Sequence, residues 1–60
     1  MIQLTGYEDE VVFVNHKHII SLIQTRHMTY VNLSNGQEIE VQESASEIYF
    51  DIKELEGETP

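Results

Sequence analysis

The stretch from residue 29 to residue 48, TYVNLSNGQEIEVQESASEI, constrains the fold of this chain more than any other part. Its first half alternates apolar and polar side chains on both sides of an Asn-Gly pair, which is typical of a β-hairpin. Its second half has a serine followed three residues later by a glutamate, the capping box that begins many α-helices. The sequence therefore predicts a strand, a tight turn, a second strand and a helix in direct succession. None of these segments carries a catalytic signature.

The turn of this hairpin can hold two or three residues, and the pairing of apolar side chains distinguishes the two. A two-residue loop, Asn35-Gly36, would place Val31 opposite Glu40 and mix apolar side chains with carboxylates on one face. A loop that also includes the preceding serine places Val31 opposite Ile39, so that apolar residues share a face. Because a shift of one residue moves every side chain to the other face, burial should decide the register. We predict the three-residue loop, with Gly36 in the left-handed conformation of a bulged turn.

The helix is predicted to run from about Ala45 to Glu56, with Ser44 as its N-cap and Glu47 completing the capping box. Gly57 is a suitable stop for it. Apolar side chains that recur at helical spacing form the stripe expected to be buried, and they are Ala45, Ile48, Ile52 and Leu55.

Two aromatic residues of this helix lie off the buried stripe. Phe50 falls nearly opposite Ile48 on the helical wheel, and Tyr49 flanks the stripe. Single exposed apolar residues are common on folded proteins, so Phe50 is either such a residue or a contact for a partner. We take Phe50 and Tyr49 as candidate interface residues.

The chain before the hairpin predicts three more strands, at Ile2–Thr5, Val11–Val14 and His18–Gln24. The polar stretches between them, Gly6–Glu10 and Asn15–Lys17, are predicted turns. The second and third strands are apolar on both faces. They should therefore be central in the sheet, or covered on both sides by the helix and a partner.

These elements predict an α+β fold. It is a small antiparallel sheet of four or five strands, a meander that is either open or partly barrel-like, with one C-terminal helix. We expect a single domain over residues 1–56 and a flexible tail over residues 57–60.

Size and composition limit how such a domain is stabilised and what it binds. Sixty residues without cysteine exclude a disulfide, so we expect a homo-oligomer or a docked subunit. The formal charge of −8 makes nucleic acid and anionic lipid poor partners, and serves either solubility or docking onto a basic protein. No apolar run approaches the roughly 20 residues of a membrane span. The N-terminal segment lacks the features of a signal peptide, so we expect a cytoplasmic protein, with attachment to a membrane protein left open.

The three histidines are the candidates for a metal site. His16 and His18 lie two residues apart, and an extended segment would place both imidazoles on one side, where His27 from the next strand could join them around zinc or copper. No acid or cysteine is clearly set beside them, and we favour the interpretation that they are solvent-facing residues at turns and strand ends. We assign no metal and no cofactor.

The acidic and hydroxyl side chains do not predict an active site. Glu38 and Glu40 share one face of a strand, but a domain of this size offers little room for a catalytic cleft, and a solvated acidic face is expected. The serines lie in no nucleophile motif, and no glycine-rich phosphate loop is present. We therefore expect no enzymatic activity.

Four short motifs follow one another along the chain. They are Met1-Ile2-x-Leu4-Thr5, Asn15-x-x-x-Ile19-x-x-Leu22, Thr29-x-Val31-x-Leu33-x-Asn35-Gly36 and Val41-x-Glu43-Ser44-x-x-Glu47-Ile48. In order and spacing they resemble the FlbD family of small flagellar proteins, also called swarming motility protein SwrD. The resemblance covers about residues 1–52. It implies a cytoplasmic, non-enzymatic factor that supports flagellar motility at the motor or its torque-generating units.

The resemblance supplies no catalytic residues. Five polar or glycine positions match its pattern, and each has an explanation as a turn or a cap; they are Asn15, Asn35, Gly36, Glu43 and Ser44. The ending Glu47-Ile48-Tyr49 also resembles CsrA-like RNA-binding regulators, and the strand-rich layout resembles LytTR DNA-binding domains. Both bind nucleic acid through basic residues, of which this chain has three lysines and arginines.

Three functional hypotheses follow, from different classes. The first is a motility factor that acts by binding other proteins. The second is an oligomeric assembly or interaction module from a phage or mobile element. The third, more distant, is a nucleic-acid-binding regulator. Neighbouring flagellar genes would favour the first, and virion or integrase genes the second.

Overall fold

The computed structural model describes residues 1–57 and has an α+β fold, as predicted. The strands are β1 (Ile2–Thr5), β2 (Val11–Val14), β3 (Ile19–Gln24), β4 (Thr29–Leu33) and β5 (Glu38–Val41), and the helix is α1 (Ala45–Gly57). A short 3₁₀ turn, His16–His18, precedes β3. Gly57 is the last residue of α1, and the rest of the predicted tail, residues 58–60, lies outside the described residues.

The strands form two antiparallel sheets instead of one. β1 pairs with β2, and β3, β4 and β5 form a three-stranded sheet in that order. A single bridge between Gly6 and Val41 joins the two sheets, and the backbone N–H of Gln42 donates to the oxygen of Thr5 at 2.8 Å. The meander therefore closes between β1 and β5 and stays open between β2 and β3, which makes it partly barrel-like.

The β4–β5 hairpin has the predicted register. Thr29 lies opposite Val41 and Val31 lies opposite Ile39. The N–H of Leu33 donates to the oxygen of Gln37 at 2.8 Å across a three-residue loop, in which Gly36 has a φ of 91°. Only glycine adopts this backbone conformation without steric cost, so the prediction for the turn is confirmed.

The core is small and draws on every layer of the fold. Its buried apolar side chains are Ile2, Leu4, Val14, Val31, Val41 and Ile48. From α1, Ile48 is fully buried and Ile52 is half-buried, but Leu55 is 41% exposed, so its predicted burial is wrong. Leu55 lies near the end of α1, where it borders an open hollow with Met1 and Gln3 at the start of β1, and its side chain therefore stays partly in water.

β2 and β3 are not central in a sheet, so the first of the two alternatives predicted for them is wrong. Each is an outer strand of its sheet, and each exposes apolar side chains. Val11 is 58% exposed on β2, while Ile20 and Ile23 are 68% and 52% exposed on β3. The cause lies in the connection between the strands, because the side chain of Asn15 accepts from the N–H of Lys17 at 3.1 Å and begins a 3₁₀ turn where a tight hairpin would have paired β2 with β3.

Candidate functional site

The start of α1 is fixed by the predicted cap. The Ser44 hydroxyl accepts from the N–H of Glu47 at 3.2 Å and donates to the Glu47 carboxylate at 3.3 Å. The Glu47 carboxylate thus accepts from the Ser44 hydroxyl, whereas in the usual capping box it accepts from the backbone N–H of the serine. The N–H of Ala45 donates to the side chain of Gln24 at 3.0 Å and ties the helix to β3. The faces of α1 are therefore set from its first turn.

The outer face of α1 presents both candidate interface residues to solvent. Phe50 is 64% exposed and Tyr49 is 59% exposed. Phe50 lies in a shallow hollow of about 350 Å³ with Glu47 and Asp51 at its sides. The ammonium group of Lys53 lies 5.9 Å from the centre of the Tyr49 ring, within the range of a cation–π contact.

The helix α1 is strongly acidic. It carries four acidic residues and a single basic one, Lys53. Glu47 and Glu54 lie three residues before and four residues after Phe50, so both neighbour its ring on the helix surface. We call the surface made by Glu47, Tyr49, Phe50, Asp51 and Glu54 the acidic aromatic face.

A second concave surface lies on the open side of the barrel. It is a cleft of about 350 Å³ between the end of β2 and the β4–β5 turn. Its apolar walls come from Phe13, Val14, Leu33 and Ile39, and His18 reaches its edge. The cleft exists because β2 and β3 do not pair, and no local sequence pattern predicts it.

The histidines do not form the cluster that an extended segment would have made. His16 and His18 belong to the 3₁₀ turn, so the prediction of an extended segment is wrong. Nδ1 of His18 lies 3.2 Å from the hydroxyl of Ser34, while His27 follows the far end of β3, a strand about 20 Å long. Within residues 1–57, no three histidine or acidic side chains are grouped so that they could hold a metal ion.

One polar contact of the scaffold has no signal in the local sequence. The carboxylate of Glu43 accepts from the N–H of Thr5 with both oxygens, at 2.8 and 3.0 Å. The side chain of Gln42 donates to the oxygen of Gly6 at 2.9 Å and to the carboxylate of Asp9 at 2.7 Å. Glu43 therefore holds the junction between β1 and β5, which is a different role from the turn or cap expected for it.

No helix among residues 1–57 is long enough and apolar enough to cross a membrane.

The class of molecule defined by this geometry is a small α+β scaffold with an exposed aromatic helix face. The sequence model of the FlbD family, described as flagellar and swarming motility proteins, matches residues 1–58. The chain belongs to the FlbD family, and the resemblance carried by the four sequence motifs is confirmed. No curated protein matches the chain, and no solved structure matches it.

Proposed function

We propose that this FlbD-family protein is a non-enzymatic, cytoplasmic factor that supports flagellar motility by binding another protein through the acidic aromatic face. Family membership supports the link to motility. The observation that carries the mode of action is the exposure of Phe50, at 64%, among carboxylates on a helix that the capping contacts fix in place.

An exposed aromatic side chain with a charged surround matches the anatomy of a binding site. Aromatic residues are enriched among the few side chains that carry most of the binding energy at interfaces. Phe50 and Tyr49 have most of their surface available for burial by a partner. The hollow beside Phe50 provides a place for an apolar side chain of that partner.

The charge around the ring indicates the chemistry of the partner. Carboxylates of Glu47, Asp51 and Glu54 surround the aromatic centre, and the whole chain has a formal charge of −8. Complementary potentials accelerate encounter and exclude partners of like charge. Acidic residues near a helix C-terminus are also disfavoured by the helix dipole, and a basic partner would offset that cost. The partner is therefore a protein surface with lysine or arginine around an apolar residue.

The test is motility of the native host carrying Phe50→Ser in place of the wild-type chain. Swimming and swarming are measured, and flagella are counted on the same cells. We expect motility to fall towards that of an in-frame deletion while the flagella remain. Because Phe50 is exposed, the purified variant should keep the thermal midpoint of the wild type.

Tyr7→Ser is the matched control, since Tyr7 is also exposed, at 68%, but lies outside α1 and outside the cleft lined by Phe13. It should retain motility. Unchanged motility of the Phe50 variant contradicts the proposal, and so does an equal loss in both variants. A photo-crosslinking aromatic residue at position 50 should link to a basic protein segment, and linkage to an acidic segment would refute the predicted complementarity.

A further inference from the structure

The open edge of β3 is unusual in a protein of this charge. Free strand edges expose unpaired N–H and C=O groups, and proteins commonly protect them with charged residues or proline. β3 has six residues, IISLIQ, with neither a charge nor a proline. Ile20 and Ile23 are exposed on it, and no strand of residues 1–57 pairs with its outer side.

The hydrogen bonds at the ends of β3 show which backbone groups are free. The N–H of Thr25 donates to the oxygen of Met28 at 2.8 Å at the turn into β4. Hydrogen-bonded and non-hydrogen-bonded pairs alternate along antiparallel strands. Leu22, opposite Val31, and Gln24, opposite Thr29, therefore direct their N–H and C=O groups away from β4. From Ser21 to Gln24, after the bulge, the pairing with β4 is regular, so the outward backbone groups of Leu22 and Gln24 are spaced to pair with another strand.

Charge is distributed so that this edge is free of carboxylates. All 11 acidic residues lie in residues 8–10 and 38–58, and residues 11–37 contain none. Lys17 and Arg26 lie within that acid-free segment, on either side of β3. A basic partner would be drawn to the carboxylates elsewhere on the chain, away from this edge, whereas a second copy, although it also carries −8, can approach with the part of its surface that lacks them. A second copy of the chain brings an equally acid-free edge.

We propose that β3 pairs antiparallel with β3 of a second copy, giving a symmetric dimer with a continuous six-stranded sheet. In this arrangement the two β5 strands, which carry Glu38 and Glu40, are five strand spacings apart, or about 24 Å. That separation exceeds the Debye length of about 8 Å at physiological salt, so Glu38 and Glu40 of one copy hardly repel those of the other. Pairing also adds buried apolar surface to a small core, which has six buried apolar side chains among residues 1–57.

The test is the mass of the purified full chain in solution, measured by light scattering over a range of concentrations. We expect twice the chain mass of 7.0 kDa. Ile23→Lys should raise the dissociation constant of the dimer roughly tenfold or more, because a charge replaces apolar surface at the interface. Ile23→Thr keeps the preference for a strand and should weaken the dimer by a smaller factor.

Tyr7→Lys is the matched control. Tyr7 is 68% exposed, outside β3, and the substitution adds the same charge. Either lysine reduces the net negative charge, so general repulsion would predict a tighter dimer for both variants. Loss of the dimer in the Ile23 variant alone therefore assigns the contact to β3. Phe50→Ser should leave the dimer intact, which separates this proposal from the one for the helix face.

Salt dependence gives an independent check. A contact between two acid-free edges should be unchanged or tighter at high salt, whereas a contact between the acidic helix of one copy and the lysines or arginines of another should loosen. A monomer at every concentration, a dimer unaffected by Ile23→Lys, a dimer that salt dissociates, or an assembly larger than two would each overturn the proposal.

Discussion

The β4–β5 hairpin and the two strands β2 and β3 are rich in the same kinds of β-branched residues, but they occupy opposite environments. Val31 and Val41 in the hairpin are 0% exposed, whereas Val11 and Phe13 on β2 are 58% and 64% exposed. The hairpin alternates polar and apolar residues, so its pattern predicts which face of the hairpin is buried. The apolar runs of β2 and β3 indicate only that both faces of each strand are apolar. They do not predict which part of the molecule covers the face that points away from the core.

The largest expected effect compares one substitution in the two regions. Val31→Ala should lower the free energy of unfolding by about 2–3 kcal/mol, because it removes buried methyl groups and leaves a cavity. Val11→Ala should change it by less than about 0.5 kcal/mol, since the side chain is already in water. Chemical denaturation of both variants measures the difference. Equal losses would show that β2 is covered in solution.

The next effect concerns the turn that sets the hairpin register. Gly36→Val should destabilise the fold by about 2 kcal/mol, since a β-branched residue resists a φ of 91°. Gly57→Val is the control, because an added Cβ meets no atom within 4 Å at either position and only Gly36 has positive φ. Thermal denaturation compares the two midpoints. If both variants melt alike, backbone conformation does not fix this register.

The smallest effect concerns the closed junction between β1 and β5, compared with an exposed position on β5. Glu43→Ala should cost about 1 kcal/mol, because it leaves the half-buried N–H of Thr5 without its carboxylate partner. Glu40→Ala removes an exposed carboxylate from the outer face of β5 and should be near neutral. Amide exchange at Thr5 should accelerate in the first variant and not in the second. Unaltered exchange at Thr5 in the Glu43 variant would mean that the bridge and the Gln42 contact hold the junction alone.

Much of the fold was predictable because its rules are local. The Ser44 cap, the Gly36 turn and the strand boundaries of β1 and β2 each depend on neighbouring residues. The pairing of Val31 with Ile39 required one further step, that apolar side chains share a face. These predictions hold since capping, turn geometry and alternation act over only a few residues.

The errors fall where the deciding contact is distant in the sequence. Leu55 has the helical spacing of a core residue, but its burial depends on what the start of β1 places beside the end of the helix. Glu43 binds the backbone of a residue 38 positions away, which no local pattern predicts. The 3₁₀ turn over His16–His18 overlaps the turn that the sequence predicted over Asn15–Lys17, and the extended segment assumed for the metal hypothesis is wrong.

Of the two candidate interfaces, the sequence predicted the helix face but not the edge of β3. The spacing placed Phe50 opposite Ile48, and the structure agrees, with the first 64% exposed and the second 0% exposed. The free edge of β3 was not predicted, because the apolar run from Ile19 to Ile23 indicated either a central strand or one covered on both faces by the helix and a partner.

By itself, the sequence determined most of the secondary structure, the hairpin register, the helix cap and the family, because each depends on residue types at short, fixed spacings. Only the tertiary structure decided that the meander closes between β1 and β5 and opens between β2 and β3. Closure depends on contacts such as that of Glu43 with Thr5, which form only when distant strands are brought together. Exposure of an apolar residue is likewise a property of whatever the whole chain places beside it, and not of the residue or its neighbours.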